Sequence, residues 1–229
     1  MASSSEHQGP MNPAWRAFIE GTLYLDVAVP WQDDPAFAII GQFPGLRDSI
    51  GGRITDALAQ AAGLVQALTQ VDVHAVVRAR PAAEGLCLGF GMNALEPYDL
   101  LHTFALARVH AYEWIGEQVI EAAQMLAAFA EKEPTLPACI RLHHGTMSDL
   151  GALGTGSIRV VYVGNVFTPE IPVTEETFTR MVSETLRVLD AGGVVISRGS
   201  SGLLENALAP AGRLLLQTPL VSVFQKREG

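Results

Sequence analysis

An α/β fold is predicted, with a doubly wound, mostly parallel seven-stranded sheet whose last strand is antiparallel. Three observations predict it. From Pro81 onward, apolar strand-like runs alternate with helix-like stretches, as in a parallel sheet with crossover helices. The run SIRVVYV, residues 157–163, is apolar almost throughout, which suits a strand covered on both faces. The closing stretch GRLLLQTPLVSVFQK reads as two strands joined tightly around Thr218 and Pro219, and such a hairpin at the end of a parallel sheet reverses one strand.

The elements follow in order. Residues 85–88 are a short apolar first strand. Residues 95–107 are an amphipathic helix with Leu95, Leu100, Leu101, Phe104 and Leu106 apolar. Residues 108–114 return as the second strand, and 116–132, rich in Ala, Glu and Gln, form a strong helix. The third strand spans 138–143 and ends at HGTMSD; 157–163 is the fourth. Thr174 is the expected N-cap of a helix over 175–189, closed by Gly192 and Gly193, with the fifth strand over 193–197. The two hairpin strands complete seven.

The N-terminal third has a different character. Residues 1–10 read as a flexible tail. In residues 11–80, WRAFIEGTLYL and GGRITDALAQAAGLVQALTQV read as helices separated by connectors rich in Pro, Gly and aromatic residues. This segment is expected to cover the mouth of a sheet domain spanning 81–229, or to form a homodimer contact. Trp15, Tyr24, Trp31 and Phe43 could supply an apolar lid or pack that lobe onto the domain.

A chain of 229 residues, 48% hydrophobic and 17% charged, can bury one good core or one core with a small lobe. Its net charge of −9 disfavours nucleic acid and anionic membrane as main partners. Cys87 and Cys139, both in or beside apolar runs, are expected as free thiols in a reducing compartment. The opening MASSSEHQGP lacks the basic and apolar regions of a signal peptide, and no run approaches the ~20 apolar residues of a membrane span. A cytoplasmic location is expected.

The stretch LCLGFGMNA, residues 86–94, carries the chemistry. A strand that leads through Gly89-Phe90-Gly91 into a helix lets the backbone turn sharply, admits a ligand where no Cβ intervenes, and aims helix N–H groups at it. Glu113 lies at the end of the second strand, 24 residues beyond Gly89, where doubly wound folds place an acid that accepts hydrogen bonds from a ribose diol. A ligand-free turn and a solvated charge are the bland alternatives.

Together these segments resemble the class I S-adenosylmethionine-dependent methyltransferases. LCLGFGMN resembles that family's first motif, HAYEW its second strand with the ribose-binding acid, and HHGTMSDL its third. IRVVYVGNVF resembles the fourth strand, and ETLRVLDAGGVVIS the helix, turn and fifth strand; the final hairpin fits the family's antiparallel seventh strand. Three departures stand out. Cys87 replaces the usual acid of the first motif, Asn93 the third glycine, and Thr146 an Asp that commonly contacts adenine.

The resemblance implies S-adenosylmethionine as cofactor and methyl transfer to a small-molecule acceptor by in-line displacement, in a Rossmann-like domain. By position it implies that Gly89, Phe90 and Gly91 line the methionine and ribose, and that Glu113 takes the ribose hydroxyls with Trp114 beside the adenine. Thr146 and Met147 would border the adenine, and Gly164 and Asn165 would close the site. Residues 167–171 and 198–203 would hold the acceptor.

A base for an oxygen acceptor points to histidine, with His143 and His144 at the third strand's end as candidates. No dense carboxylate cluster suggests a catalytic metal. GFGMNA also satisfies G-x-G-x-x-A, so an NAD(P)-dependent oxidoreductase is the enzymatic rival, and a catalytically inactive partner protein of the same fold is the other.

Overall fold

The computed structural model describes residues 54–91, 94–164, 166, 174–198, 203–218 and 221–229. The expectations for residues 1–53, Asn93, Asn165, 167–171, 199–202 and Pro219 lie outside the described residues.

Seven strands form one sheet: β1 (Glu84–Leu88), β2 (Arg108–Glu113), β3 (Ile140–His144), β4 (Ile158–Gly164), β5 (Leu189–Arg198), β6 (Gly212–Gln217) and β7 (Val221–Lys226). Their order is β3-β2-β1-β4-β5-β7-β6. The pairs from β3 through β5 are parallel, β7 runs antiparallel to β5, and β6 antiparallel to β7. The mostly parallel seven-stranded sheet with a reversed last strand is thus as the sequence predicts. The winding starts centrally at β1, runs outward to β3, and then crosses back to β4. The direction therefore switches between β1 and β4, the place where open α/β sheets bind ligands.

Helices cover both faces. On one lie α1 (Thr55–Thr69), α2 (Val73–Arg78), α3 (Leu95–Thr103), α4 (Gly116–Ala130) and the short α5 (Leu136–Cys139); on the other lie α6 (Glu175–Val188) and α7 (Leu203–Leu208). Every residue of β4 is buried, which explains a run that is apolar apart from Arg159. Leu86 and Val161 face the α6 side, whereas Cys87 and Tyr162 face the α1 side.

The helices α1 and α2 fall in the segment expected to be a cover. Ala57, Leu58, Ala61, Ala62, Leu64 and Val65 of α1 share one core with Val194, Ile196, Leu215 and Val223 of the sheet. The start of α1 is capped from another helix: Asp99 of α3 accepts the N–H of Ile54 at 2.7 Å. That bond replaces the local Ser, Thr or Asp cap that Ile54 cannot provide.

Several element ends differ from expectation, and three of these differences have a physical reason. The helix expected over 95–107 stops at Thr103, and Ala105 takes a left-handed φ of +51°. Phe104 and Leu106 are still buried, but in the turn that follows. Cys139 ends the helical turn α5, so β3 begins only at Ile140.

The third difference concerns Gly192 and Gly193, which do not close α6. That helix ends at Val188, and Leu189 already belongs to β5. The glycines instead form a bulge between the pairs Ile158–Leu189 and Val160–Val194. Arg159 fills it, donating to Ala191 O at 2.6 Å and to Val76 O at 2.9 and 2.8 Å. Thr174 caps α6 as predicted, accepting the N–H of Thr177 at 3.2 Å. Among the described residues no helix is long and apolar enough to cross a membrane.

Candidate functional site

The carboxyl ends of β1, β2, β3 and β4 meet beside the switch in winding. Two backbone bonds carry the ladder past the strands: Gly89 N–H donates to Tyr112 O at 2.9 Å, and Gly145 N–H to Glu113 O at 3.0 Å. Gly89 and Gly91 both take left-handed angles, φ +69° and +62°. At Gly89 the space is closed as well, since a Cβ would lie 2.3 Å from Cγ2 of Val166. At Gly91 the nearest atom is Gln118 Oε1, at 3.7 Å, so only the angle demands glycine.

Glu113 is 4% exposed and turns onto this bend. Its Oε2 accepts the N–H of Gly91 at 2.9 Å and its Oε1 the N–H of Ile115 at 3.0 Å, just before α4. A carboxylate has about four acceptor positions. Two are used, so two remain for further donors.

The other residues singled out in the sequence distribute as follows. Phe90 buries its side chain in the core on the α1 side and leaves only its backbone in the turn. Trp114 is 54% exposed next to Glu113, an unusual degree for a tryptophan. Met147 is partly buried, and its Cε would lie 3.7 Å from a Cβ on Gly89, so it borders the bend. Thr146 is exposed; its hydroxyl accepts the N–H of Ser148 at 3.2 Å and bonds that residue's hydroxyl at 3.0 Å. Gly164 ends β4, where a Cβ would lie 2.9 Å from Oη of Tyr162. Cys87 is wholly buried, and burial first, then the acids Glu96 and Glu113, push its thiol well up. It is therefore a neutral group at physiological pH.

His143 and His144 point apart, as neighbours on a strand do. His144 Nε2 meets Trp114 O at 3.0 Å. His143 joins a chain across three strands: Glu84 Oε2 to His110 Nε2 at 3.2 Å, and His110 Nδ1 to His143 Nε2 at 3.1 Å. An ionised Glu84 only accepts, so His110 carries its proton on Nε2 and accepts on Nδ1, and His143 donates from Nε2. His143 also stacks on Tyr112, with centroids 4.4 Å apart. Burial is the main force holding both imidazoles below the usual histidine range.

Two residues near the bend escaped sequence reasoning, Glu96 in the first turn of α3 and Tyr162 on β4; they stand with Arg198, which ends β5 and opens the segment expected to hold the acceptor. Burial lifts the Glu96 carboxyl to about 8 against the pull of Arg198, with Asp99 adding to the rise. Burial and then Glu96 also raise the Tyr162 phenol. The Arg198 guanidinium opposes that shift from nearby, without the geometry of a hydrogen bond. The signal available beforehand was Glu96 itself, an acid placed directly after the glycine turn.

The strand order, the reversal of β7 and the glycine bend with its facing acid fall together as the resemblance implies. The fold is a Rossmann-like, mostly parallel seven-stranded sheet with a reversed β7. No protein-family model matches the chain, and no curated protein matches it. Among solved structures it is similar to a SAM-dependent methyltransferase from Aquifex aeolicus, with 14% identity over 73% of this chain and 96% of that one and a TM-score of 0.47. It is similar to a protein from Agrobacterium tumefaciens described as a predicted O-methyltransferase, with 17% identity over 69% and 82% and a TM-score of 0.48. For TrmN from Thermus thermophilus the figures are 19%, 71% and 48%, with a TM-score of 0.45, so the chain spans about half of that protein.

The residues present fit S-adenosylmethionine. The bend has no Cβ at Gly89 or Gly91, a buried carboxylate with acceptor capacity to spare faces it, and Trp114 offers an uncovered ring.

Proposed function

We propose that this protein is an S-adenosylmethionine-dependent methyltransferase acting on a small-molecule acceptor. The observation that carries the reading is the buried Glu113 carboxylate, joined to the glycine bend through Gly91 N–H and left with two open acceptor positions. These suit the two hydroxyls of a ribose. Trp114 would lie along the adenine and Met147 beneath it, with the Thr146 turn at the rim. Bound there, the cofactor supplies a methyl group already activated on a sulfonium.

The chain's own work is then binding, alignment and exclusion of water, and orientation alone can contribute ~7–11 kcal/mol to a bimolecular transfer. Cys87 supplies no charge to the site, so recognition rests more heavily on Glu113 than the family pattern would require.

Calorimetric titration with S-adenosylhomocysteine and, separately, NADH tests the reading. Saturable binding of S-adenosylhomocysteine, weakened at least tenfold in Glu113→Ala, is expected. Tight NADH binding without S-adenosylhomocysteine binding would transfer the site to nicotinamide chemistry.

A further inference from the structure

The group formed by Glu96, Tyr162 and Arg198 has no part in the ribose and adenine contacts above. Strand register builds it. Cys87 and Tyr162 are level across β1 and β4, and Arg198 stands opposite Gly164, one step nearer the carboxyl edge. Glu96 stands in the first turn of α3, near enough for its charge to act on Arg198 and Tyr162. Arg198 is 8% exposed, Glu96 5% and Tyr162 1%, yet among the described residues Glu96 Oε2 and Tyr162 Oη have no hydrogen-bond partner. Among the described residues no carboxylate forms an ion pair with Arg198. The neighbouring acid, Asp99, accepts the N–H of Ile54.

A guanidinium withdrawn from water calls for an anion, and buried O–H groups without acceptors call for lone pairs. Glu96, neutral at pH 7, is a donor here, as is Tyr162. The set therefore presents a positive charge and two unspent donors, all next to a strand end that lacks a Cβ. A planar oxyanion able to accept several hydrogen bonds complements it.

We propose that Arg198, Tyr162 and Glu96 form a carboxylate-binding subsite beside the glycine bend, which holds the carboxylate of the methyl acceptor. The assignment of that carboxylate to an acceptor rests on the methyltransferase reading; the existence of the subsite does not. The cofactor's own amino-acid carboxylate offers the same chemistry, and the test separates the two sources.

The full-length chain, Arg198→Gln and Tyr162→Phe are titrated with acetate and benzoate against acetamide and benzamide, free and saturated with S-adenosylhomocysteine. The three proteins are also titrated with S-adenosylhomocysteine and with 5′-methylthioadenosine, which lacks the amino-acid end. On the saturated protein the acids should bind at least tenfold tighter than the amides. Arg198→Gln should erase that difference and Tyr162→Phe reduce it, with both nucleoside affinities unchanged.

Selective loss of S-adenosylhomocysteine binding in Arg198→Gln, with no acid preference on the saturated protein, assigns the carboxylate to the cofactor and overturns the acceptor assignment. Equal binding of acids and amides by the free wild-type protein, with the same ratio of nucleoside affinities in all three proteins, overturns the subsite. Tyr162→Phe removes one hydroxyl, so it keeps the test decisive if Arg198→Gln does not fold. Should neither nucleoside bind the wild type, the methyltransferase reading fails while the comparison on the free protein still decides the subsite.

Discussion

Glu113 and Gly91 are joined by a bond from the Gly91 N–H to Glu113 Oε2, 2.9 Å long, which ties the end of β2 to the bend after β1. A second bond, from Ile115 N–H to Oε1, ties the same carboxylate to the start of α4. One side chain thus sets the spacing of three backbone segments and presents its remaining lone pairs at their junction.

Replacing Glu113 by Gln keeps one oxygen acceptor and loses the other. Stability should fall by about 1 kcal/mol, the usual net value of one hydrogen bond, and by more in Glu113→Ala, where both N–H groups lose their acceptor. S-adenosylhomocysteine affinity should follow the same order, with Ala the weaker. Urea unfolding and calorimetry measure the two effects. Wild-type behaviour of Glu113→Ala in both would detach this residue from the bend.

Gly89→Ala meets two obstacles. A left-handed φ of +69° costs an L-residue ~1–2 kcal/mol, and the new methyl would lie 2.3 Å from Val166 Cγ2. The double variant Gly89→Ala/Val166→Ala relieves the second obstacle alone. It should therefore be less destabilised than the sum of the two single variants, and a double-mutant cycle in urea reads the coupling. Strict additivity would mean that Val166 does not press on the bend.

The Glu96 carboxyl titrates near 8 in the folded protein, above its ordinary 4.5. Between those values the unfolded chain releases a proton that the folded chain keeps. Stability should therefore fall as pH rises from about 4.5 to about 8, by at most ~1.4 kcal/mol per unit, and then level off. Arg198, Asp99, Tyr162 and Cys87 are the ionisable neighbours that set this balance. Glu96→Gln, of nearly the same shape but never ionised, should lose the slope. Superimposable pH profiles of melting temperature for the two proteins would contradict the buried neutral carboxyl.

The Glu84–His110–His143 chain makes a tautomer prediction. Long-range ¹H–¹⁵N spectra near neutral pH should show the proton of His110 on Nε2 and that of His143 on Nε2 as well. Since burial lowers both imidazoles, the stability they contribute is present above the ordinary histidine value of 6.5 and is lost as pH falls below it. A His110 proton found on Nδ1 would reverse the direction of the chain.

Much of this arrangement was legible in the residues themselves. The nearly apolar run of β4 announced burial on both faces, the GRLLLQTPLVSVFQK hairpin announced the reversed strand, and the pair Gly89 and Gly91 announced a sharp turn, which the structure makes with left-handed backbone. These are local properties: period, turn chemistry and allowed φ depend on near neighbours along the chain. The role of Gly192 and Gly193 was not legible, because it depends on Arg159 from another strand filling the bulge they leave.

The sequence by itself determined the α/β class, the strand succession, the place of the bend and the acid that faces it, since each is written in short-range pattern and spacing. Only the tertiary structure decided that Phe90 turns into the core and that His143 is engaged by His110 and Tyr112. It alone brought Glu96, Tyr162 and Arg198 together. Which side chains share a dry enclosure, and therefore which charges survive there, is set by how α3, β4 and β5 pack, and no interval along the chain records that.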